Sequence, residues 1–276
     1  MNLQSTKILK NGYAMPIVGL GVYKMTNPDE TIQAITKALQ VGYRHIDTAS
    51  LYANEEQVGE AIRHSSVARN DIFVTTKVWN TDQGYDETLR AFEVSLKKLN
   101  MDYVDLYLTH WPVEEKFEET YRAIERLYEE KLIRVPGVSN HHAHHLDRLL
   151  AKANVPPMVN QVEVHPYLSQ NELKSYCAEK GIALTAWSPL GRGQVLEDAR
   201  ILAVANEVGK SAAQVVLRWH LQNDTIIIPK SVTSSRIEEN AQLFDFELTA
   251  EQMARLDAVN ENKRIGQNPD NFHFDF

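Results

Sequence analysis

The feature that most constrains the fold of this chain is a rhythm of polar residues, each closing an apolar run. Asp47 closes the run that begins at Tyr43, Lys77 the run from Ile72, His110 the run from Val104 and Asn140 the run from Val135, at separations of 30, 33 and 30 residues. One strand plus one helix needs about 30 residues to bring the chain back beside a parallel neighbour. Side chains at equivalent strand ends then converge on one rim. An acid, a lysine, a histidine and an amide gathered at the ends of parallel strands read as an active site more readily than as a stability device.

The rest of the chain keeps the same alternation. Strand patterns fall at 17–21, 43–47, 72–77, 104–110, 133–138, 158–164, 182–187 and 225–228. Helical spacing fills 30–41, 55–64, 85–99, 117–130, 142–151, 171–179, two helices across 199–221, then 236–242 and 250–259. The Asn11-Gly12 turn signal predicts a hairpin over 5–18 that plugs one end, and the tail 266–276 lacks periodicity and reads as a loop over one face. The expectation is an α/β chain, a (β/α)8 TIM barrel with an N-terminal β-hairpin plug and two extra helices, as one domain over 1–276. Its 276 residues match the ~250 typical of such barrels. No G-x-G-x-x-G turn opens a helix, which argues against an open dinucleotide-binding sheet.

Composition narrows the partners. A net charge of -8 without a basic stripe argues against nucleic acid. The N-terminus lacks the apolar core of a secretory signal, and no apolar run approaches the ~20 residues that span a bilayer. Cys177 is the only cysteine, read as a half-buried helix residue, so no intrachain disulfide can form and a cytoplasmic setting is expected.

Tyr52 lies five residues beyond Asp47, in the loop after the second barrel strand, where it can face the Lys77 ammonium. A cation about 4 Å away is expected to pull a tyrosine down from its ordinary pKa near ~10, towards a useful acid. Asp47 would hold Lys77 and keep it charged, and His110 would orient a substrate oxygen. These types suit carbonyl reduction, in which one group protonates the oxygen, another polarises it, and hydride comes from a cofactor.

The chain resembles the aldo-keto reductases along almost its whole length, most closely the 2,5-diketogluconate-reductase-like and prostaglandin F synthase-like subgroup. The segments that carry this are Gly-Tyr-Arg-His-Ile-Asp-Thr-Ala at 42–49, Leu-Tyr-Ala-Asn-Glu at 51–55 and Phe-Val-Thr-Thr-Lys-Val-Trp at 73–79. Two more are Asp-Tyr-Val-Asp-Leu-Tyr-Leu-Thr-His-Trp-Pro at 102–112 and Ile-Ile-Pro-Lys-Ser at 227–231. The resemblance implies a catalytic tetrad at Asp47, Tyr52, Lys77 and His110, with Tyr52 as general acid, and NADPH/NADP+ as cofactor. It implies that Ser139, Asn140 and Gln161 bond the nicotinamide carboxamide and that Trp187 stacks on the ring. Gly21, Ser188 and Leu190 line the same cofactor, and Lys230, Ser231, Arg236, Glu239 and Asn240 hold its adenosine end. Arg236 opens a helix just after the last strand, and a guanidinium there suits the phosphate monoester of NADPH better than a bare ribose. Tyr23, Trp79 and Trp111 form an aromatic substrate pocket, Tyr23 standing where the family often has a tryptophan.

Some features stand apart. Pro136 removes a ladder hydrogen bond from the fifth barrel strand and is expected to kink it near Ser139 and Asn140. His141, His142, His144 and His145 read as a solvated helix start and not a metal pair, because no Cys or carboxylate is expected to complete a set of ligands nearby. Arg192 is either a pyrophosphate contact or a solvated loop charge. A second reading of the whole chain is a non-catalytic NADPH-binding barrel that serves as a redox sensor or regulatory subunit. A third, a metal-dependent hydrolase, has only His110 and Asp47 as strand-end ligands, with Lys77 competing for the same space. The partner expected is a small carbonyl compound, and the chain is read as a monomer.

Overall fold

The structure is a computed structural model in which residues 1–271 are described. Eight strands form the barrel wall: β3 (Leu20–Gly21), β4 (His45–Asp47), β5 (Phe73–Val78), β6 (Val104–Thr109), β7 (Ile133–Ser139), β8 (Val159–Glu163), β9 (Ala183–Trp187) and β10 (Ile226–Ile227). Each is parallel to the next in chain order from β3 to β10. The ring closes at a Val18–Ile227 bridge, where Gly19 N donates to Ile227 O at 2.8 Å and Ile227 N donates to Ile17 O at 3.0 Å. The expected eight-stranded barrel is therefore present, with a seam shorter than the patterns at 17–21 and 225–228 suggested.

Two antiparallel strands, β1 (Thr6–Ile8) and β2 (Ala14–Pro16), precede the wall and form the expected plug. Gly12 takes φ 83° in the connecting turn, a backbone region open chiefly to glycine. Leu9 and Met15 cap the lower barrel interior against Phe73, Leu106, Leu108, Val135, Val159, Ala183 and Ile226. Burying side chains of this size contributes about 1.5–3 kcal/mol each.

Among the described residues, ten helices surround the wall. α1 (Pro28–Val41) starts two residues before the spacing predicted because Asn27 Oδ1 accepts from Glu30 N at 3.1 Å and Pro28 occupies the first turn. Gly42, at φ 118°, ends it, and Tyr43 N also closes onto Ala38 O, which delays β4 to His45. α2 (Glu55–Arg63), α3 (Tyr85–Leu99), α4 (Phe117–Glu129), α5 (Ala143–Leu150) and α6 (Asn171–Lys180) follow their strands in order. α7 (Ala199–Val208) and α8 (Ala212–Gln222) lie between β9 and β10, and α9 (Ser234–Glu239) and α10 (Ala250–Asp257) come after β10. α7, α8 and α10 share a separate apolar cluster around Trp219, Ile201 and Leu256, which accounts for the two helices beyond the ring of eight.

The wall alternates with period two. On β5, Phe73, Thr75 and Lys77 take one face, and Val74 and Val78 belong to the outer core beneath the helices. The same alternation turns Asp47, Gln161 and Trp187 inwards at the C-terminal ends of their strands. Pro136 does not break β7, which runs unbroken from Ile133 to Ser139. In a parallel ladder a residue points its N–H and C=O at the same neighbour. Pro136 O accepts from Met158 N at 3.0 Å, so the absent N–H faces the stretch before β8 begins, where no ladder is lost. Cys177 on α6 is fully buried, not half-buried, and burial pushes its thiol up to about 11.

α2 meets the end of α3 at a close approach: a Cβ on Gly59 would stand 2.1 Å from Leu99 O. Gly59→Ala is expected to destabilise the fold by about 1–3 kcal/mol, the usual cost of overpacking. Thermal unfolding should show a Tm lower by about 2–10 °C; an unchanged Tm would mean that this contact does not constrain the packing.

Candidate active site

The C-terminal rim gathers the four residues that the spacing singled out with Tyr52. Lys77 at the end of β5 is fully buried and donates through Nζ to Asp47 Oδ1 at 2.6 Å and to Thr48 O at 2.9 Å. The second carboxylate oxygen of Asp47 accepts from Gln161 Nε2 at 2.6 Å, so β8 ties into the pair from across the barrel. Burial draws the Lys77 pKa below the ordinary lysine value, and Asp47 opposes it.

Tyr52 ends the 3-10 turn Ser50–Tyr52 after β4, and its ring centroid lies 5.1 Å from Lys77 Nζ. Burial, with Asp47 and Tyr23 adding to it, holds the Tyr52 hydroxyl well above its ordinary pKa. This corrects the expectation that Lys77 would lower it. The lysine charge is largely cancelled by Asp47 at 2.6 Å, and removal from water penalises the tyrosinate. His110 stands 5.7 Å from Tyr52 between ring centroids, and burial followed by the Lys77 charge holds its pKa well below 6.5. It is therefore a neutral imidazole at neutral pH.

Aromatic rings extend on both sides of this pair. Tyr23 packs 4.9 Å from Tyr52 and Trp79 lies 5.0 Å from His110, with the rings tilted or edge-on. Trp111, directly after His110, is buried, and its carbonyl accepts from Gln83 Nε2 at 2.7 Å. Tyr23 is 44% exposed and forms the open side.

The residues expected around a nicotinamide form one hydrogen-bonded chain. Trp187 Nε1 donates to Asn140 Oδ1 at 2.8 Å, Asn140 Nδ2 donates to His110 O at 2.9 Å and to Ser139 Oγ at 3.2 Å, and Ser139 Oγ donates to Gln161 O at 2.7 Å. Through Gln161 this chain reaches Asp47. Asn140 takes φ 62°, which turns the backbone at the end of β7 and lets its N–H reach Gln161 O at 2.9 Å. Beyond β9, Ser188 takes φ 47° and its carbonyl accepts from Gly191 N at 2.8 Å, folding Leu190 into a tight turn. Arg192 follows on the exposed side.

A dinucleotide fits these residues on two observations. Gln161 is 2% exposed, and its Oε1 makes no hydrogen bond among the described residues, leaving an acceptor for a carboxamide N–H. Lys230 and Arg236 are exposed and make no ion pair among the described residues, so two cations follow β10 within seven positions of sequence. Ser231 and Asn240 are buried and Glu239 is half-buried, and Gly21 lies against Ile228 O so closely that a Cβ would stand 2.8 Å from it.

Sequence reasoning missed the wall on the far side. Glu163 at the end of β8 accepts through Oε1 from Ile265 N at 2.7 Å, Gly266 N at 2.9 Å and His165 Nε2 at 3.0 Å. Burial works against its charge, yet these donors hold its pKa below the usual carboxylate value. Gly266 then lies on Trp187, where a Cβ would meet the indole at 2.3 Å. The tail thus passes over the C-terminal rim, and its last part, 272–276, lies outside the described residues. Only the position of a buried glutamate at a strand end hinted at this. A cavity of about 930 Å³ lies at the opposite end, lined by Tyr13, Arg44, Phe73, Asp105 and Arg134, and holds none of the tetrad.

Removing one partner of the buried pair should cost more than removing both. Lys77→Met is expected to lower the free energy of unfolding by about 3–5 kcal/mol by leaving Asp47 uncompensated, and Asp47→Leu with Lys77→Met should recover a large part of that. Chemical denaturation of both variants checks this. Equal loss in the single and double variants would mean that packing, not charge, sets the cost.

The sequence profile of the Aldo/keto reductase family matches residues 17–261. A glyoxal reductase of Bacillus subtilis (strain 168) is 52% identical over 273 residues, with 99% of each chain covered. MGS-M4, an aldo-keto reductase from a Medee basin deep-sea metagenome library, superposes with a TM-score of 0.94 at 45% identity, covering 98% of this chain and 100% of that one. A mutant of Gox0644 solved in complex with NADPH gives a TM-score of 0.94 at 41% identity, covering 98% and 99%. With this rim, these relatives and the profile match in agreement, the chain belongs to the aldo/keto reductase family of oxidoreductases.

Proposed function

We propose that this protein reduces aldehydes and ketones to alcohols with NADPH, and that small dicarbonyl compounds are among its substrates. The observation that carries this reading is a protonated Tyr52 set between the buried Lys77–Asp47 pair and a neutral His110, inside a cluster of aromatic rings. Similarity to a glyoxal reductase supports the substrate class.

NADPH, when bound, supplies hydride to the carbonyl carbon. The negative charge that develops on the carbonyl oxygen must be met by a proton, and Tyr52 is the acid on the rim that holds one throughout the neutral range. Lys77, fixed by Asp47 and Thr48 O, lies near enough to stabilise the tyrosinate left behind. His110 offers a hydrogen bond from an uncharged ring, so it orients the carbonyl without competing for the proton. Ser139, Asn140 and Gln161 would hold the carboxamide, with Trp187 against the nicotinamide ring. Lys230, Ser231, Arg236, Glu239 and Asn240 would hold the adenosine end. The aromatic side chains of Tyr23, Trp79 and Trp111 would exclude water around an apolar substituent.

The deciding experiment is NADPH consumption by purified protein against a panel of glyoxal, methylglyoxal, aromatic aldehydes and diketo acids, with and without a chelator. Tyr52→Phe is expected to lower kcat by about 10²–10⁴, the usual contribution of a general acid, and the chelator should have no effect. Tight NADPH binding without turnover of any carbonyl would instead favour the sensor. Arg236→Ala should raise KM for NADPH about tenfold or more while leaving KM for NADH nearly unchanged, because the guanidinium is assigned to the 2'-phosphate.

The pH profile follows from the two shifts. The Tyr52 pKa is raised above 10.0, so acid catalysis is lost only as pH rises through that higher value, and the His110 pKa is depressed below 6.5, so its protonation affects only lower pH. kcat/KM for reduction should therefore stay flat from pH 6.5 to 10.0. An inflection within this window that vanishes in His110→Gln would contradict the neutral assignment.

A further inference from the structure

The local carboxylate of the histidine cluster at the start of α5, Asp147, accepts from the Tyr176 hydroxyl at 2.6 Å, but the fold brings a second one to the cluster. Asp270, 128 residues beyond His142, sits beside the cluster, with its Oδ1 2.7 Å from His142 Nδ1 and 3.5 Å from His144 Nε2. One ligand-type atom from each of His144, His145 and Asp270 lies within 4.8 Å of the others. Tetrahedral zinc with bonds of about 2.0–2.2 Å places neighbouring ligand atoms about 3.3–3.5 Å apart. The His144–Asp270 edge already has this spacing. His144 is 60% exposed and Asp270 39%, so both can rotate to close the remaining edges and an ion can reach them from solvent.

The surroundings support the carboxylate as an outer shell would. Arg264 Nη2 donates to His142 Nε2 at 2.7 Å. A guanidinium can only donate, so the proton of neutral His142 sits on Nδ1 and is given to Asp270. Ligating carboxylates are commonly held by such second partners. Two imidazoles and one carboxylate suit zinc, nickel or copper, whereas magnesium prefers oxygen ligands throughout.

Two features oppose binding and limit its strength. His145 Nδ1 accepts a capping bond from His142 N at 3.2 Å, which competes with an ion for that ring, and positive charge at a helix start runs against the helix dipole. Binding is therefore expected to be weaker than at a structural zinc site.

We propose that His144, His145 and Asp270 bind one zinc-class divalent cation, with His142 and Arg264 positioning Asp270, and that the ion clamps the C-terminal segment to α5. The clamped segment is the one that carries Ile265 and Gly266 to Glu163 and lays Gly266 on Trp187. The ion is thus separate from the tetrad but fastens one wall of the rim.

The test is calorimetric titration of zinc chloride into full-length, untagged protein at pH 7.5, with Asp270→Asn, His144→Gln and, as a control, His64→Gln at the exposed His64 that follows α2. One equivalent should bind, about tenfold or more weakly in Asp270→Asn and in His144→Gln, with His64→Gln unchanged and magnesium silent. Hydrogen exchange across 263–271 should slow on zinc addition in the parent protein and not in Asp270→Asn. The site is refuted if zinc shows no saturable binding, or if both variants bind as the parent does. The clamp is refuted if zinc binds but leaves exchange in 263–271 unchanged.

Discussion

The buried pair of Lys77 and Asp47 is the constraint on which the rim depends. Taking two charges out of water costs several kcal/mol for each, and the attraction between them compensates only when every remaining donor and acceptor is met. Here Asp47 receives Lys77 on one oxygen and Gln161 on the other, and Lys77 also reaches Thr48 O. These bonds join β4, β5 and β8, strands from different sides of the ring. The pair therefore holds only if the barrel closes in its native register, and the site and the fold become a single requirement.

The protonation of the neighbours follows from the same pair. A lone ammonium beside Tyr52 would pull the phenol down, but an ammonium neutralised by Asp47 leaves burial as the larger effect. His110 meets the lysine charge and loses its water, and both keep it neutral. The result is a division of roles in which the acid is a tyrosine that retains its proton and the orienting group is an imidazole without charge. The reading from spacing weighed the nearest cation above burial and gave Asp47 only the role of keeping Lys77 charged.

The far wall of the rim depends on a second buried acid. Among the described residues, Glu163 is held on one oxygen, Oε1, by backbone N–H groups of Ile265 and Gly266 and by His165, while Oε2 makes no hydrogen bond and has Arg264 at 3.7 Å. An acid that needs the tail to satisfy it draws the tail over the barrel mouth. The same segment carries Arg264 to His142 and Asp270 to the histidines of α5, so one strap serves both the rim and the cluster beside it.

The barrel, its plug and the convergence of Asp47, Lys77, His110 and Asn140 were legible in the chain because they depend on local periodicities: two residues in a strand, 3.6 in a helix and about 30 in a strand-plus-helix unit. Turn chemistry at Asn11-Gly12 and a glycine at position 42 fixed boundaries for the same local reason. Short seam strands were less legible, since pairing at Val18 and Ile227 is settled by closure and not by residue preference. Pro136 looked like a break because sequence carries no record of which neighbour an N–H faces. The bond from Trp187 to Asn140, the grip of Gln161 on Asp47 and the arrival of Asp270 at the histidines join residues 47, 114 and 128 positions apart. Local sequence determined which side chains reach the rim; only the closed barrel decided which of them touch, how dry they are, and so which protons they hold.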